Sequence, residues 1–314
     1  MSKIAFLFPG QGAQYVGMGK DIYERSAAAR EVFARASEVL PFDLRELCFN
    51  GPEEKLKQTM YAQPAILTVS VALWRAMQEA GWTKVPVALA GHSLGEYSAL
   101  VVAGSLELTD AVLVVHQRGK FMQEAVPLGQ GGMVAVLGLD ADRVREICTT
   151  ASSAGPVEAV NLNCPGQVVI AGVNAGLERA VALAKEAGAR RCMPLAVSAP
   201  FHSSLMRPAG EKLAGVLAGV KVKQPTIPVV SNVTARYYPA DADARDLLVR
   251  QVYSPVRWEE SILYLHEQGV DTFVEIGPGK VLCGLVKKIC PAATTYNVED
   301  QAGLEKILAL DGEV

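Results

Sequence analysis

The 314-residue sequence has 30 Lys and Arg against 33 Asp and Glu, a formal charge of −3, and half of its residues are hydrophobic. This balance, without a Lys/Arg block, argues against nucleic acid or an anionic membrane surface as a partner. No apolar stretch reaches membrane-spanning length. The hydrophobic content suits a globular protein with a sizeable core, built as one large domain or two.

Cysteine and histidine usage bears on the compartment and on metals. The six cysteines form no C-x-x-C pair, and the first apolar run is too short for a signal peptide, so we expect reduced thiols in a cytoplasmic protein. Four histidines without an H-E-x-x-H motif predict no built-in metal site.

The first predicted strand covers residues 3–8 and ends in a glycine-rich loop at 9–15. Its Gly-x-Gly sequence suggests a dinucleotide-binding loop, but Tyr15 stands where the third glycine is needed. A loop that brings main-chain N–H groups, or the amide of Gln11, close to another site is an alternative, and an ordinary βα turn is a third.

Helices and a second strand follow in an order that predicts the sheet. Helical segments are expected at 17–40 and 52–58, then a strongly apolar helix from Gln63 to about Ala80, with Pro64 in its first turn. An apolar strand at 85–90 comes next. This β-α-β order predicts a parallel, buried sheet with helices on both faces.

The segment Gly91-His92-Ser93-Leu94-Gly95 joins that strand to a helical run at 96–102. A G-x-S-x-G sequence between strand and helix is typical of the nucleophile elbow of serine acyl-transfer enzymes. The two glycines let strand and helix pass closely, so the turn exposes Ser93, and the helix start offers free N–H groups, beginning with that of Leu94, to an oxyanion. Small residues that merely fill a βα turn are the alternative.

The next predicted helix begins near residue 108, with Thr109 or Asp110 as its cap, and contains Arg118. The residues at i−4, i+3 and i+4 from Arg118 are apolar, so its face of the helix is apolar. A guanidinium there needs an anion. A snorkelling side chain or an internal salt bridge are the alternatives.

Residues 127–197 have a different pattern of predicted elements, and this pattern predicts a small inserted subdomain. A linker at 127–132 is followed by a strand at 133–139, a helix at 140–150, strands at 157–161 and 167–172, a helix at 174–187 and a strand at 192–195. The order β-α-β-β-α-β is that of a ferredoxin-like unit. The large subdomain would then comprise residues 1–126 and 198–314.

His202 lies in a loop after this unit, before a predicted helix at 203–217. A single histidine in such a loop is more often structural, but an elbow serine needs a base. The remaining predicted elements are a strand at 227–232, a helix from 243, a helix at 258–268, a strand at 271–276, a helix to 289 and a final strand and helix. The Gly277-Pro278-Gly279-Lys280 sequence is not a phosphate-binding P-loop, since its first glycine is replaced by Val274.

Several motifs coincide in order along nearly the whole chain. They are Phe8-Pro9-Gly10-Gln11-Gly12, Gln63-Pro64-Ala65, Gly91-His92-Ser93-Leu94-Gly95-Glu96, Gln117-Arg118-Gly119, Ala199-Pro200-Phe201-His202 and Glu275-Ile276-Gly277-Pro278-Gly279. In these motifs the sequence resembles the malonyl-CoA:acyl-carrier-protein transacylases of fatty-acid and polyketide synthesis. The resemblance implies an α/β fold with a hydrolase-like parallel-sheet large subdomain and an inserted ferredoxin-like small subdomain, in agreement with the predicted elements.

The resemblance also implies catalytic roles. Ser93 would be the nucleophile and His202 its base, and the main-chain N–H groups of Gln11 and Leu94 would form the oxyanion hole. A main-chain carbonyl near Gln251 would orient His202. Because the sequence marks no Asp or Glu as a third triad member, we expect a Ser–His dyad plus a carbonyl.

The implied substrates are malonyl-CoA and acyl carrier protein, with no tightly bound cofactor. The implied substrate-binding residues are Arg118, Phe201 and Gln251. Arg118 would hold the free malonyl carboxylate, and the bulky Phe201 would crowd out a 2-methyl branch. A malonyl ester on Ser93 would carry the acyl group between the two thiols in a ping-pong reaction.

Two other classes of function stay open. A serine hydrolase or thioesterase would use the same elbow, although most esters carry no carboxylate for Arg118 to pair with. A non-catalytic docking domain for a carrier protein is the other class, and the intact Ser93, His202 and Arg118 argue against it. The sequence does not separate a fatty-acid from a polyketide acceptor.

Overall fold

The computed structural model describes residues 2–127, 129–197, 199–240 and 243–309. Leu128 of the predicted linker, Ser198 at the predicted subdomain boundary and residues 310–314 lie outside the described residues.

The described residues form ten strands in two sheets. In chain order the strands are β1 (Ile4–Phe8), β2 (Ala88–Gly91), β3 (Gly131–Leu137), β4 (Val157–Cys164), β5 (Gln167–Val173), β6 (Arg191–Pro194), β7 (Val229–Ser231), β8 (Arg236–Tyr237), β9 (Thr272–Ile276) and β10 (Thr294–Val298). The larger sheet has the order β10-β9-β1-β2-β7-β8, and the smaller has the order β4-β5-β3-β6.

Helices surround both sheets. They are α1 (Lys20–Arg25), α2 (Ala27–Glu38), α3 (Leu44–Asn50), α4 (Glu53–Leu56), α5 (Thr59–Glu79), α6 (Gly95–Val102), α7 (Leu108–Glu124), α8 (Ala141–Ala151), α9 (Asn174–Glu186), α10 (Arg207–Leu217), α11 (Ala244–Gln251), α12 (Trp258–Glu267), α13 (Val281–Ile289) and α14 (Gln301–Ala309). None of the described helices is both long and apolar enough to cross a membrane.

The larger sheet is parallel except at its edge, where β8 runs antiparallel to β7. Every residue of β1 and of β9 is buried, as expected for central strands covered by helices on both faces. Phe8 at the end of β1 is paired with Gly91 at the end of β2, so the loops that follow these two strands leave the sheet side by side.

The smaller sheet is antiparallel and is formed in the order β3-α8-β4-β5-α9-β6, which confirms the predicted ferredoxin-like arrangement. Its own apolar cluster includes Val136, Val144 and Ile170 from the sheet and α8. Together the two sheets confirm the predicted α/β fold class.

The open edge of the smaller sheet is covered by the large part of the chain. Strand β4 is an edge strand, and its main chain bonds to a segment before α12: Leu162 N–H donates to the Val256 carbonyl at 3.0 Å, and Val256 N–H donates to the Val160 carbonyl at 2.8 Å. These bonds satisfy an otherwise free strand edge and join the smaller sheet to the segment before α12.

Helix α5 corrects the prediction for Pro64. The helix begins at Thr59 rather than Gln63, so Pro64 lies inside it and not in its first turn. Proline lacks the N–H that would bond the carbonyl four residues earlier, at Met60. His116 fills that role, because its Nδ1 lies 2.8 Å from the Met60 carbonyl oxygen.

Other predicted bounds also need correction. The predicted helix at 17–40 is interrupted at Ser26, which ends α1 and whose hydroxyl caps α2 by accepting from Ala29 N–H. Helix α3 was not predicted, although Asp43 caps it. Helix α7 follows an extended Glu107 with no side-chain cap, so the prediction of Thr109 or Asp110 as the cap is wrong.

Candidate active site

The elbow forms where β2 meets α6, and glycine is required on both sides of it. A Cβ on Gly91 would lie 1.9 Å from the main-chain carbon of Gly95, and one on Gly95 would lie 2.0 Å from the Phe8 carbonyl oxygen. Ser93 at the apex has φ 51°, a left-handed conformation that costs a non-glycine residue free energy. Asn232 holds this conformation by accepting from Ser93 N–H at 2.7 Å.

Ser93 and His202 are in contact although 109 residues separate them. The Ser93 Oγ lies 2.7 Å from His202 Nε2, and His202 Nδ1 lies 2.8 Å from the main-chain carbonyl oxygen of Gln251. A carbonyl only accepts, so Nδ1 carries the proton and Nε2 presents its lone pair to the hydroxyl. Burial, reinforced by the nearby Arg118 cation, lowers the pKa of His202 to about 3, so the ring is neutral near pH 7.

Arg118 reaches the same hydroxyl from α7. Its Nη2 donates to Ser93 Oγ at 3.2 Å and to Gln251 Oε1 at 2.9 Å, and its Nη1 donates to Gln63 Oε1 at 2.8 Å. The side chain is 1% exposed, so it does not snorkel, and no described carboxylate forms an ion pair with it. The guanidinium also lies over the Tyr97 ring, 5.5 Å from its centroid, a cation–π contact.

These groups face one cavity of about 410 Å³ between the two sheets. Its lining includes six of the predicted site residues: Gln11, Ser93, Leu94, Arg118, Phe201 and His202. The smaller sheet contributes Met133 and Asn161, and the segment that follows β6 contributes residues 195–197. The structure therefore brings the predicted nucleophile, base and guanidinium together. It also places side chains that sequence analysis did not select, such as those of Met133 and Asn161, in the same lining.

The predicted oxyanion donors lie at the cavity wall. The main-chain N–H groups of Gln11 and Leu94 bond to no group within the described part of the chain, and Leu94 stands at the start of α6. The Gln11 side-chain amide, considered as a donor from the sequence, instead donates to Thr59 Oγ1 at 3.1 Å. The main-chain N–H of Gln11 is thus a donor without a partner among the described residues, whereas one N–H of its side chain is already used.

Gln251 and Phe201 occupy different positions relative to the cavity. Phe201 lines it directly beside His202 and is 6% exposed. Gln251 was grouped with the substrate-binding residues, but it is fully buried behind Arg118 and is not part of the cavity lining. Its hydrogen-bond partners include the Ser93 main chain, His202, Arg118 and Glu96.

Sequence analysis missed Gln63 and Asn232 as site residues. Gln63 is a polar side chain within an apolar stretch of α5, and this contrast was the available signal. Asn232 follows β7 with no motif around it, and only the fold brings its amide to the elbow, where it bonds Ser93 N–H and the Gly91 carbonyl. Among the described residues no group of three or more His, Cys, Asp or Glu is arranged to hold a metal ion.

Comparisons with known proteins agree with this geometry. Residues 5–305 match the family model of the acyl transferase domain. The chain is 52% identical over 306 residues to the malonyl CoA-acyl carrier protein transacylase of Bacillus subtilis (strain 168). This match spans 97% of the present chain and 96% of the relative.

Solved structures extend the comparison to the fold. An acyl-carrier-protein S-malonyltransferase from Burkholderia pseudomallei 1710b has a TM-score of 0.95 at 49% identity, over 98% of this chain and 100% of the other. A malonyl-transacylase solved in complex with its type II PKS acyl-carrier protein also has a TM-score of 0.95, at 47% identity, over 98% and 99% of the two chains. The chain therefore belongs to the acyl transferase family, among the malonyl CoA-acyl carrier protein transacylases.

Proposed function

We propose that this enzyme transfers the malonyl group of malonyl-CoA to the phosphopantetheine thiol of an acyl carrier protein through an ester on Ser93. The observation that carries the proposal is the double contact of the Ser93 Oγ, 2.7 Å from His202 Nε2 and 3.2 Å from Arg118 Nη2. One neighbour accepts a proton, and the other offers N–H donors to a carboxylate. Family membership supports the same reaction.

In the first half-reaction the Ser93 Oγ attacks the thioester carbonyl carbon while His202 Nε2 takes the hydroxyl proton. The carbonyl oxygen becomes an oxyanion facing the main-chain N–H groups of Gln11 and Leu94, and each such donor is worth about 3–4 kcal/mol of barrier. The carbon–sulfur bond then breaks, and CoA leaves with the proton that His202 held. Malonyl-Ser93 remains.

In the second half-reaction the carrier protein's thiol gives its proton to His202 and attacks the malonyl-Ser93 ester. The bond to Ser93 Oγ breaks, and the hydroxyl regains the proton. The solved complex of a related malonyl-transacylase with its carrier protein supports this acceptor. The product supplies extender units for fatty-acid or polyketide synthesis.

Arg118 and Phe201 are proposed to select the acyl group. A guanidinium can bind the free malonyl carboxylate through two parallel N–H donors, which an acetyl group cannot use. Phe201 beside His202 restricts the space for a 2-methyl branch, a discrimination worth about 1–3 kcal/mol.

We assign residues 1–126 and 198–314 to the large catalytic subdomain and 127–197 to the small one. Met133 and Asn161 in the cavity wall support a role for the small subdomain in shaping the substrate site. The proposed steps use only side chains and main-chain groups of this chain, so we expect no tightly bound cofactor. The six cysteines are all unpaired, as is usual in a reducing compartment, and this supports the cytoplasm as the place where the enzyme works.

Intact-protein mass spectrometry after incubation with malonyl-CoA tests the proposal. We expect one malonyl adduct on the wild type and none on Ser93→Ala. Ser98→Ala is the matched control, because the Ser98 hydroxyl is buried in α6 with no hydrogen-bond partner among the described residues, and its adduct should form normally.

An adduct that persists in Ser93→Ala, or its absence from the wild type, would contradict the covalent mechanism. Steady hydrolysis of malonyl-CoA without carrier protein would favour a hydrolase instead.

A further inference from the structure

A buried polar network lies behind Arg118, and the side chain of Gln251 is at its centre. The Gln251 Oε1 accepts from Arg118 Nη2 at 2.9 Å, whereas its Nε2 donates to the Ser93 carbonyl at 2.9 Å and to Glu96 Oε2 at 2.7 Å. The Gln251 main chain meanwhile holds His202. One residue thus contacts the nucleophile's main chain, the base and the guanidinium.

The orientation of the Gln251 amide matters because its two ends are not interchangeable. Rotation by 180° would set its N–H donors against the Arg118 N–H groups. It would also set its oxygen against the Ser93 carbonyl and the Glu96 carboxylate, so all three contacts would become repulsive. The amide oxygen toward Arg118 fixes the direction of the guanidinium on that side, as Gln63 does on the other.

Glu96, the last residue of the elbow motif, is the charged end of this network. It is 0% exposed, and its carboxylate accepts from three donors: the Tyr238 hydroxyl, Asn232 N–H at 3.0 Å and Gln251 Nε2. Burial raises the pKa of Glu96 to about 6, although the hydrogen bonds from these donors act to lower it. The carboxylate is therefore ionised near pH 7, and an ionised carboxylate only accepts hydrogen bonds. The Gln251 amide must therefore turn its N–H end toward Glu96.

We propose that Glu96 is a positioning residue that sets the acyl preference through Gln251, by keeping the amide oxygen of Gln251 on Arg118. This inference rests on the proposed malonyl transfer. An amide stands between the carboxylate and the guanidinium, and this separation has a physical consequence. A carboxylate bonded directly to Arg118 would occupy the N–H donors that the substrate's carboxylate needs, whereas a relayed one orients them and leaves them free.

The test compares four single variants by the ratio of malonyl to acetyl kcat/KM in Ser93 acylation. Glu96→Leu removes the acceptor, and we expect the malonyl preference to fall by about tenfold or more, the effect of one misdirected charge-assisted hydrogen bond. Glu96→Gln can keep its oxygen on Gln251 and Asn232 while the Tyr238 hydroxyl turns to accept. It should retain the preference within about threefold.

Ser98→Ala is the matched control, because the Ser98 hydroxyl is buried in α6, the helix that carries Glu96, with no hydrogen-bond partner among the described residues. Its preference should equal that of the wild type. Gln251→Leu, which keeps the main-chain carbonyl at His202, should lose the preference as Glu96→Leu does, and combining the two should add nothing. This variant keeps the test decisive if Glu96→Leu does not fold.

Retention of the full malonyl preference in Glu96→Leu or in Gln251→Leu overturns the inference. So does a Glu96→Gln ratio as low as that of Glu96→Leu, since that would assign the effect to charge rather than to amide orientation. The proposed function fails separately, by the absence of a malonyl adduct on wild-type Ser93.

Discussion

The hydroxyl of Ser93 touches a base and a cation at once, and burial keeps the base neutral. His202 is 3% exposed and bonded through Nδ1 to a carbonyl, so it stays neutral and keeps a lone pair on the serine. Burial also lowers the pKa of Arg118, which lies beside Tyr97 and near Glu96. The reactivity of Ser93 therefore depends on a pocket that keeps the His202 imidazole neutral beside the Arg118 guanidinium.

The pH dependence of Ser93 acylation should reflect the neutral His202. An unperturbed histidine would lose base activity as the pH falls through about 6.5. Because the pKa of His202 is lowered to about 3, its neutral form persists below that range, and the acid limb should move well under pH 6. Rapid-quench mass spectrometry of adduct formation between pH 5 and 8 measures it, and half-loss of the rate near pH 6.5 would contradict this assignment.

Arg118→Ala should lose about 10- to 100-fold in malonyl loading and gain in relative activity on acetyl-CoA, because the paired N–H donors disappear together with an unpaired cation that disfavours acetyl. Arg118→Lys keeps the charge but not the forked geometry of the N–H donors, so its malonyl loading should lie between those of the wild type and Arg118→Ala. Loading of Ser93 from each thioester is the measurement. An unchanged preference in Arg118→Ala would remove the carboxylate-binding role.

At the scale of elements, the elbow depends on how closely β1, β2 and α6 approach one another. Gly95 packs against the end of β1, and Gly91 against the first turn of α6. The loops after β1 and β2 leave the sheet together, which sets the Gln11 and Leu94 N–H groups on one wall. Two glycines and one pair of neighbouring strands therefore decide where the proposed oxyanion donors lie.

Gly95→Ala should destabilise the protein by about 1–3 kcal/mol or more and abolish loading, because its Cβ would stand 2.0 Å from the Phe8 carbonyl oxygen and force the strand and helix apart. Gly215→Ala is the control, since it lies in α10 with open space around it. It should stabilise the protein by about 0.5–1 kcal/mol. Urea unfolding gives both values, and a Gly95→Ala variant as stable and active as the wild type would refute the close-packing explanation.

At the scale of the whole molecule, main-chain bonds and a side-chain contact at the site join the smaller sheet to the large part of the chain. Strand β4 bonds the segment at Val256, and Asn163 Oδ1 lies 2.9 Å from Nε2 of His92, the neighbour of Ser93. Trp258 packs against the same histidine, with ring centroids 5.4 Å apart. The cavity wall contributed by the smaller sheet is thus held to the elbow itself.

The two sheets should therefore unfold in a single transition. Trp258 belongs to the same apolar cluster as Cys164 of β4, so the measurement uses a Trp258→Phe variant. The two remaining tryptophans, Trp74 and Trp82, pack against Phe6 of β1, so their fluorescence follows the large part, whereas far-ultraviolet circular dichroism follows both. Coincident urea curves from the two signals are expected. An early loss of ellipticity without a change in fluorescence would show that the smaller unit unfolds alone.

The sequence by itself predicted the features that depend on near neighbours. Strand, turn and helix around Ser93 follow from glycine spacing, and the β-α-β-β-α-β order follows from the alternation of apolar runs and turns. Helix bounds were less accurate. The sequence predicts Pro64 in the first turn of a helix, whereas it lies inside α5, where the Met60 carbonyl is bonded by His116 from α7, a helix far away in sequence. The resemblance to a known family, not the spacing, supplied the roles of Gln11 and Gln251.

Only the tertiary structure decided which polar groups meet. The contacts of Gln251 with Arg118, Glu96 and Ser93 join residues 133 to 158 positions apart. No local pattern marks Asn232 or Gln251, because an isolated amide has the same propensities on a surface and in a network. Burial alone makes such an amide choose one orientation, since a desolvated donor or acceptor left unpaired costs more than the bond itself returns.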